Sequence, residues 1–160
     1  RFKKDQPTNF SVLALRQGEK ALGLDNEKIY FRFAKRIKDI SQTIYEFVAN
    51  SVEKGKIFYT LSASTRGSTL LQTCNLNNRL LQAAVERNPE KVGKQYSSMQ
   101  LPIISEDQAR KDNPDFMLIL PWFFQKEIIE RENEYLEKGG AILVPLPIPK
   151  IITKDKEVII

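Results

Sequence analysis

The sequence predicts an α/β protein of Rossmann-like architecture, in which a mostly parallel sheet carries helices on both faces and a long N-terminal helix comes first. Two observations predict this class. Short apolar segments typical of strands alternate with segments of helical periodicity, which is the pattern of a parallel sheet with crossover helices. The run from Phe116 to Leu120 is continuously apolar, as expected for a strand covered on both faces.

Helical periodicity is clearest near the N-terminus. Residues 9–22 are predicted to form a short helix closed by Gly23, and residues 26–54 a long helix with Asp25 as its N-cap. Apolar residues recur in the long helix at spacings of three and four, which places them on one face. Gly55 is predicted to end the long helix.

Strands and short helices alternate through the remainder of the chain. Five short apolar segments are the predicted strands or extended pieces, and they cover residues 56–61, 81–85, 101–104, 116–120 and 141–144. The predicted helices between them lie near residues 68–74, from an N-cap at Ser105 to before Pro114, and over residues 125–138. A proline-containing stretch after residue 144 is predicted to be an extended exit.

The composition excludes several kinds of active site. The 160 residues include no histidine and one cysteine, Cys74, which excludes Ser–His–Asp and Cys–His triads and zinc sites built from His and Cys. No apolar run approaches the ~20 residues that a membrane span needs. No pattern typical of a nucleic-acid-binding motif is present. We therefore expect a cytoplasmic protein that holds no metal and binds neither membrane nor nucleic acid.

The loop after the first predicted strand is the best candidate for ligand binding. It contains Ser64, Thr65, Arg66, Ser68 and Thr69. Such a strand–helix junction presents unpaired backbone N–H groups and a positive helix end to an anion, and arginine adds a bidentate contact. Because the loop lacks G-x-G-x-x-G, a Ser/Thr-rich helix cap with a surface arginine is the alternative interpretation.

Further polar residues follow the other strands. Glu86 and Arg87 end the second strand, where nucleotide-binding folds often place an acid that contacts ribose, although many strands end in a charge pair. Trp122 follows the fourth strand, where it either belongs to the core or stacks on a flat ring. The bases among residues 57–105 outnumber the acids, which indicates either a solvated basic surface or a local anion site.

Eight short segments occur in a specific order: LGLD at 22–25, YFRFA at 30–34, ASTRGSTLL at 63–71, RNPEKVG at 87–93, LPI at 101–103, PD at 114–115, LPWFFQKEI at 120–128 and GG at 139–140. In this order and spacing they resemble the C-terminal domain of S-adenosylmethionine-dependent C-methyltransferases that act on nucleotide-linked sugars. The resemblance covers residues 21–144.

The resemblance implies an upstream zinc-binding part and a middle methyl-donor domain. Residues 1–22 would then be a tail or linker from the donor domain, and residues 23–160 the Rossmann-like substrate-side domain. The nucleotide sugar would lie between the middle and C-terminal domains, with S-adenosylmethionine and the general base in the middle domain. This segment would bind no cofactor, would hold no catalytic residue and would be inactive alone. The first residue, Arg1, fits a fragment.

The expected substrate-binding residues are Ser64, Thr65, Arg66, Ser68, Thr69, Arg87, Lys91 and Trp122. The sequence departs from the family pattern around the expected cleft. Two family glycines are Thr60 and Ser62 here, the family's lysine is Arg66, its aspartate is Glu86, and an Asn or His is Phe123. Two other functions therefore stay open: a free-standing nucleotide- or coenzyme-binding module, and a structural interaction domain that has lost its ligand.

Overall fold

The computed structural model describes residues 9–160, and the chain divides into two compact units, residues 1–38 and 39–160. Helix α1 spans Phe10–Ala21 and helix α2 spans Glu27–Glu53, so α2 begins in the first unit and ends in the second. The predicted short and long helices are both present. The N-cap of α2 is Asn26 and not Asp25, because the Asn26 side chain accepts the N–H of Lys28 at 3.0 Å. The predicted tail before Asn9 lies outside the described residues.

The first unit exposes an unusual amount of apolar side chain. Helix α1 has no buried residue, and Phe10 at its start is 84% exposed. The large exposed apolar side chains of this unit are Phe10, Val12, Leu13, Leu15, Leu22, Leu24, Tyr30, Phe31 and Phe33. None of the helices in the described part of the chain is both long and apolar enough to cross a membrane.

The second unit is built on one eight-stranded sheet. Its strands are β1 Phe58–Leu61, β2 Ala83–Glu86, β3 Gln95–Tyr96, β4 Leu101–Ser105, β5 Phe116–Ile119, β6 Ala141–Val144, β7 Lys150–Ile152 and β8 Glu157–Ile159. Their order across the sheet is β3-β4-β2-β1-β5-β6-β7-β8. The five central strands, which are β4, β2, β1, β5 and β6 in spatial order, pair in parallel. Strands β3, β7 and β8 pair antiparallel, so the sheet is mostly parallel, as predicted.

Helices cover both faces of the sheet, which confirms the predicted class. The remaining helices are α3 Thr65–Thr73, α4 Glu106–Asp112, α5 Gln125–Arg131 and α6 Asn133–Glu137, with a 3-10 turn over Trp122–Phe124. On one face, Val48 of α2 and Leu71 of α3 belong to the same core cluster as Phe58 of β1. On the other face, Ile128 of α5 and Leu136 of α6 pack in a second cluster with residues of the central strands.

Two predicted segments differ from the structure. The predicted helix over residues 125–138 is two helices, because Glu132 leaves helical geometry at φ −91° and ψ 19°. The predicted extended exit after residue 144 continues into the antiparallel strands β7 and β8. Glu132 pairs with the neighbouring Arg131 and with Arg110 on α4, and β7 pairs with the edge of β6. Local periodicity carries no information about these pairings.

The strand order creates a crevice beside β1. The chain leaves β1 for α3 on one face of the sheet, and it leaves the neighbouring strand β5 for α5 on the other face. Loops that diverge to opposite faces leave an opening between them at the carboxyl ends of the strands, and ligands of α/β proteins bind at such a switch point. A ligand site is therefore expected at this edge of the sheet.

Candidate functional site

A cavity of about 390 Å³ lies at the carboxyl ends of β1, β2 and β5. It falls within the size range of small-molecule sites, which is about 300–1,000 Å³. Its lining residues come from the strand ends, the loops that follow them, the start of α4 and the length of α5. They are Leu61, Ser62, Val85, Glu86, Arg87, Glu106, Pro121, Phe124, Glu127, Ile128 and Arg131.

Glu86 organises the loops around this cavity. One carboxylate oxygen accepts the backbone N–H groups of Arg87 and Asn88 at 2.9 and 3.1 Å. The other accepts the N–H of Ala63 and the ammonium of Lys91, both at 3.1 Å. Burial raises the pKa of Glu86, but the hydrogen bonds from these four residues outweigh burial and hold the pKa below its ordinary value. Glu86 therefore joins the loops after β1 and β2, and its acceptor sites are occupied.

The loop between β1 and α3 is fixed by contacts along its backbone. Ser62 donates its N–H to the carbonyl of Val85 at 2.8 Å, and the hydroxyl of Tyr96 donates to the carbonyl of Ser64 at 3.0 Å. Ser62 has φ of 79°, in the left-handed region that favours glycine. The resemblance places a glycine at this position, and the serine adopts the backbone conformation of a glycine at the cavity wall.

The start of α3 offers donors to an anion. The Ser64 hydroxyl caps the helix by accepting the N–H of Gly67 at 3.1 Å. The N–H groups of Thr65 and Arg66 have no acceptor among the described residues. Because a helix N-terminus carries a partial positive charge, these two groups and the Arg66 side chain present positive potential outward. Gly67 serves packing, since a Cβ there would lie 2.5 Å from Leu120 Cδ1.

Aromatic side chains lie between Arg66 and the cavity. The Arg66 guanidinium stands over the ring of Phe123, 5.4 Å from its centroid. The rings of Phe123 and Phe124 are 4.7 Å apart, and Phe124 lines the cavity. Phe123 and Phe124 are 49% and 55% exposed, whereas Trp122 is half-buried and packs against the core on the α5 face. Trp122 thus packs on the core and also lies on the turn after β5, near the cavity.

A network of guanidinium and carboxylate groups forms the far wall of the cavity. Glu106 lies 3.8 Å from Arg87, 3.4 Å from Arg131 and 4.0 Å from Arg110. The buried carboxylate of Glu132 pairs with Arg131 at 2.9 Å and with Arg110 at 3.8 Å. The sequence gives a partial signal for this network, since Glu106 and Arg110 are four residues apart on one helix.

The structure separates the eight predicted site residues into three groups. Arg87 lines the cavity, and Arg66 borders it through the aromatic rings. Lys91 is held by Glu86 and by the carbonyl of Ala63 at 3.0 Å. The others, Ser64, Thr65, Ser68, Thr69 and Trp122, lie on the first half of α3 or on the turn after β5. That Arg66 and Arg87 share one anion stays a prediction.

Three charged lining residues were missed as site candidates: Glu106, Glu127 and Arg131. They lie on the first turns of α4 and α5 and at the end of α5. In the sequence they resemble ordinary charges on exposed helices. Only the packing of these two helices over the same sheet face brings them to one cavity. Among the departures from the family pattern, Ser62 lines the cavity, whereas Thr60 is buried within β1.

Other motif segments lie at the opposite, amino edge of the sheet and hold the fold together. Asp115 accepts the Lys56 ammonium at 2.8 Å and the Ile57 N–H at 2.9 Å. The hydroxyl of Tyr135 lies 3.0 Å from the carbonyl of Pro114. A Cβ on Gly140 would lie 2.3 Å from the Tyr135 ring. The PD and GG segments are therefore explained by packing and hydrogen bonding.

Comparison with known proteins agrees with the motif order. A family model described as C-methyltransferase C-terminal domain matches residues 1–147. The C-methyltransferase NovU of Streptomyces niveus is 33% identical over 151 residues, which is 94% of this chain and 36% of that protein. The chain therefore spans about a third of the length of this relative. By the extent of the family match and by this identity, the chain belongs to the C-methyltransferase C-terminal domain family.

Proposed function

We propose that this chain is the substrate-side domain of an S-adenosylmethionine-dependent C-methyltransferase and that it binds a nucleotide-linked sugar at the carboxyl edge of its sheet. The observation that carries the proposal is the pairing of a cavity with an anion-binding helix start. The free N–H groups of Thr65 and Arg66 and the guanidinium of Arg66 stand beside the cavity that Arg87 lines.

The diphosphate is the group that fits the start of α3. Phosphate oxygens accept hydrogen bonds from backbone N–H groups at a helix N-terminus and from arginine. Ser64, Ser68 and Thr69 would contribute small hydroxyl side chains beside it. Lys91 would act through Glu86, by holding the loop in place, since its ammonium already contacts Glu86 and Ala63. Trp122 and its neighbouring phenylalanines offer ring faces to the nucleotide base.

The methyl donor and an upstream domain complete the proposal. We take S-adenosylmethionine to be the donor of the whole enzyme, held by a domain that precedes this one in the same cytoplasmic protein. The family is that of a C-terminal domain, and the relative is longer than this chain. The apolar side chains exposed on residues 9–38 suit a surface that such a domain covers.

The test is calorimetric titration of the chain with a nucleoside diphosphate sugar at low and high salt. We expect modest affinity that weakens as salt increases, because exposed charge contacts are screened. Arg66→Ala should weaken binding by roughly ten- to a hundredfold, since a charge-assisted hydrogen bond contributes about 1.5–3 kcal/mol. The matched control is Arg79→Ala, because Arg79 is exposed in the loop before β2, at the opposite edge.

Each result has a defined meaning. Equal affinity of wild type and Arg66→Ala would remove Arg66 from the site. Equal losses of affinity in Arg66→Ala and Arg79→Ala would show that net charge, and not a contact of Arg66, causes the effect. No binding at millimolar ligand would favour a structural domain without a ligand.

A further inference from the structure

We propose that the cavity takes the sugar of the nucleotide sugar, and that Glu127 binds its hydroxyl groups while the diphosphate remains outside at the start of α3. The inference rests on the proposed function and divides its site into two parts of different chemistry. The distribution of charge around the cavity carries it.

The lining of the cavity does not suit an anion. Three carboxylates, Glu86, Glu106 and Glu127, face two guanidinium groups, Arg87 and Arg131. Both arginines lie beside Glu106, at 3.8 and 3.4 Å, and Arg131 also pairs with Glu132 at 2.9 Å, so part of their charge is offset within the protein. A diphosphate placed here would approach carboxylates at short range, which is unfavourable where the surroundings partly exclude water. The free positive potential lies outside, at Arg66 and the first N–H groups of α3.

Glu127 differs from the other two carboxylates. Glu86 accepts four hydrogen bonds, and Glu106 lies within 4.0 Å of three guanidinium groups. In the part of the chain that the structure describes, the Glu127 side chain makes neither an ion pair nor a hydrogen bond, although it lines the cavity. Its oxygens are therefore the acceptors available to a ligand.

A carboxylate of this kind selects for hydroxyl groups. An ionised carboxylate only accepts hydrogen bonds, and its two oxygens take two donors at once, such as neighbouring hydroxyls of a sugar. The ring of Phe124 and the side chain of Ile128 provide the apolar wall against which the carbon–hydrogen face of a sugar packs. Phe123, between Arg66 and Phe124, connects the diphosphate position to the sugar position.

The experiment compares two ligands, a nucleoside diphosphate and the corresponding nucleoside diphosphate hexose, by calorimetric titration of the chain. We expect wild type to bind the hexose derivative more tightly. In Glu127→Ala this preference should be lost, with about a tenfold weaker affinity for the hexose derivative and an unchanged or slightly tighter affinity for the bare diphosphate. Glu130→Ala is the matched control, because Glu130 is exposed on the same helix outside the cavity lining.

The outcomes distinguish the two levels of the proposal. If Arg66→Ala weakens both ligands while Glu127→Ala keeps the wild-type preference, the proposed function stands and the role of Glu127 is overturned. If Glu127→Ala weakens both ligands equally, Glu127 is not a sugar contact and the inference is likewise overturned. If wild type binds neither ligand, both fall together. Equal thermal midpoints of the variants and wild type verify that folding is unchanged.

Discussion

The Glu86 carboxylate accepts one N–H group from the loop after β1 and two from the loop after β2, besides the Lys91 ammonium. An acid at the end of this strand was expected from the sequence as a possible ribose contact. The structure gives it a positioning role, because its acceptor sites are used within the protein. The sequence could not reveal this, since the Ala63 donor lies 23 residues away.

Glu86→Gln should destabilise the protein in a pH-dependent way. At pH 7 the amide presents an NH₂ group to backbone donors, so we expect a loss of about 1–3 kcal/mol in the free energy of unfolding. The pKa of Glu86 is lowered by folding, so its contribution is present above the ordinary pKa of about 4.3 and lost as the pH falls through the folded-state pKa. The difference between wild type and variant should therefore shrink below about pH 4.

Urea unfolding across this pH range measures the difference. Glu90→Gln is the control, because Glu90 is exposed in the same loop and its side chain makes no hydrogen bond or ion pair among the described residues. A constant difference between wild type and Glu86→Gln at all pH values would contradict the electrostatic explanation.

Local residue signals predicted one helix cap correctly and misplaced another by one residue, since Asn26 and not Asp25 caps α2. Ser105 caps α4 by accepting the N–H of Gln108 at 3.2 Å, as the capping pattern predicted. Ser62 is the opposite case, because the resemblance identified a missing glycine there while the left-handed backbone became visible only in the structure.

At the level of the elements, continuous apolar runs predicted the central strands, since β5 and β6 are buried almost throughout. The two-residue strand β3 and the hairpin of β7 and β8 were missed. Their residues become strands by pairing with β4 and β6, and short edge segments carry little apolar pattern of their own.

The break between α5 and α6 lies at Glu132, whose carboxylate is buried. This group is 4% exposed and pairs with Arg131 and Arg110. Glu132→Gln should lower the free energy of unfolding by about 1–3 kcal/mol, since the charge-assisted contacts are lost while the half-exposed arginines regain water. Chemical denaturation measures the loss.

Glu134→Gln is the matched control for this effect. It removes the same charge from α6, but its pair with Lys138 is exposed and should contribute little. If the two variants were equally stable, burial of Glu132 would not be what holds the two helices in their arrangement.

At the scale of the sheet-bearing unit, motif segments lie at both edges of the sheet. The PD and GG segments secure the amino edge, whereas the loops after β1, β2 and β5 surround the cavity at the carboxyl edge. The sequence predicted a ligand site at the carboxyl edge from the rule for parallel sheets, and the structure has a cavity at that edge. It could not predict which charged side chains of α4 and α5 line the cavity, because that depends on how these helices pack.

The proposed division of the enzyme between this chain and an upstream domain leads to the last prediction, that this chain alone does not bind S-adenosylmethionine tightly. A Rossmann-type site for an adenosine group needs a glycine-rich turn after β1 and a free acid after β2. Here the turn is closed by Ser62 and Ala63, whose N–H groups are occupied, and the acid Glu86 is saturated by four hydrogen bonds. Titration of the chain should give no binding below about 1 mM, whereas a protein that also contains the proposed upstream domain, titrated in parallel as the positive control, should bind. A micromolar dissociation constant for the chain alone would place the donor site in this domain and overturn the assignment.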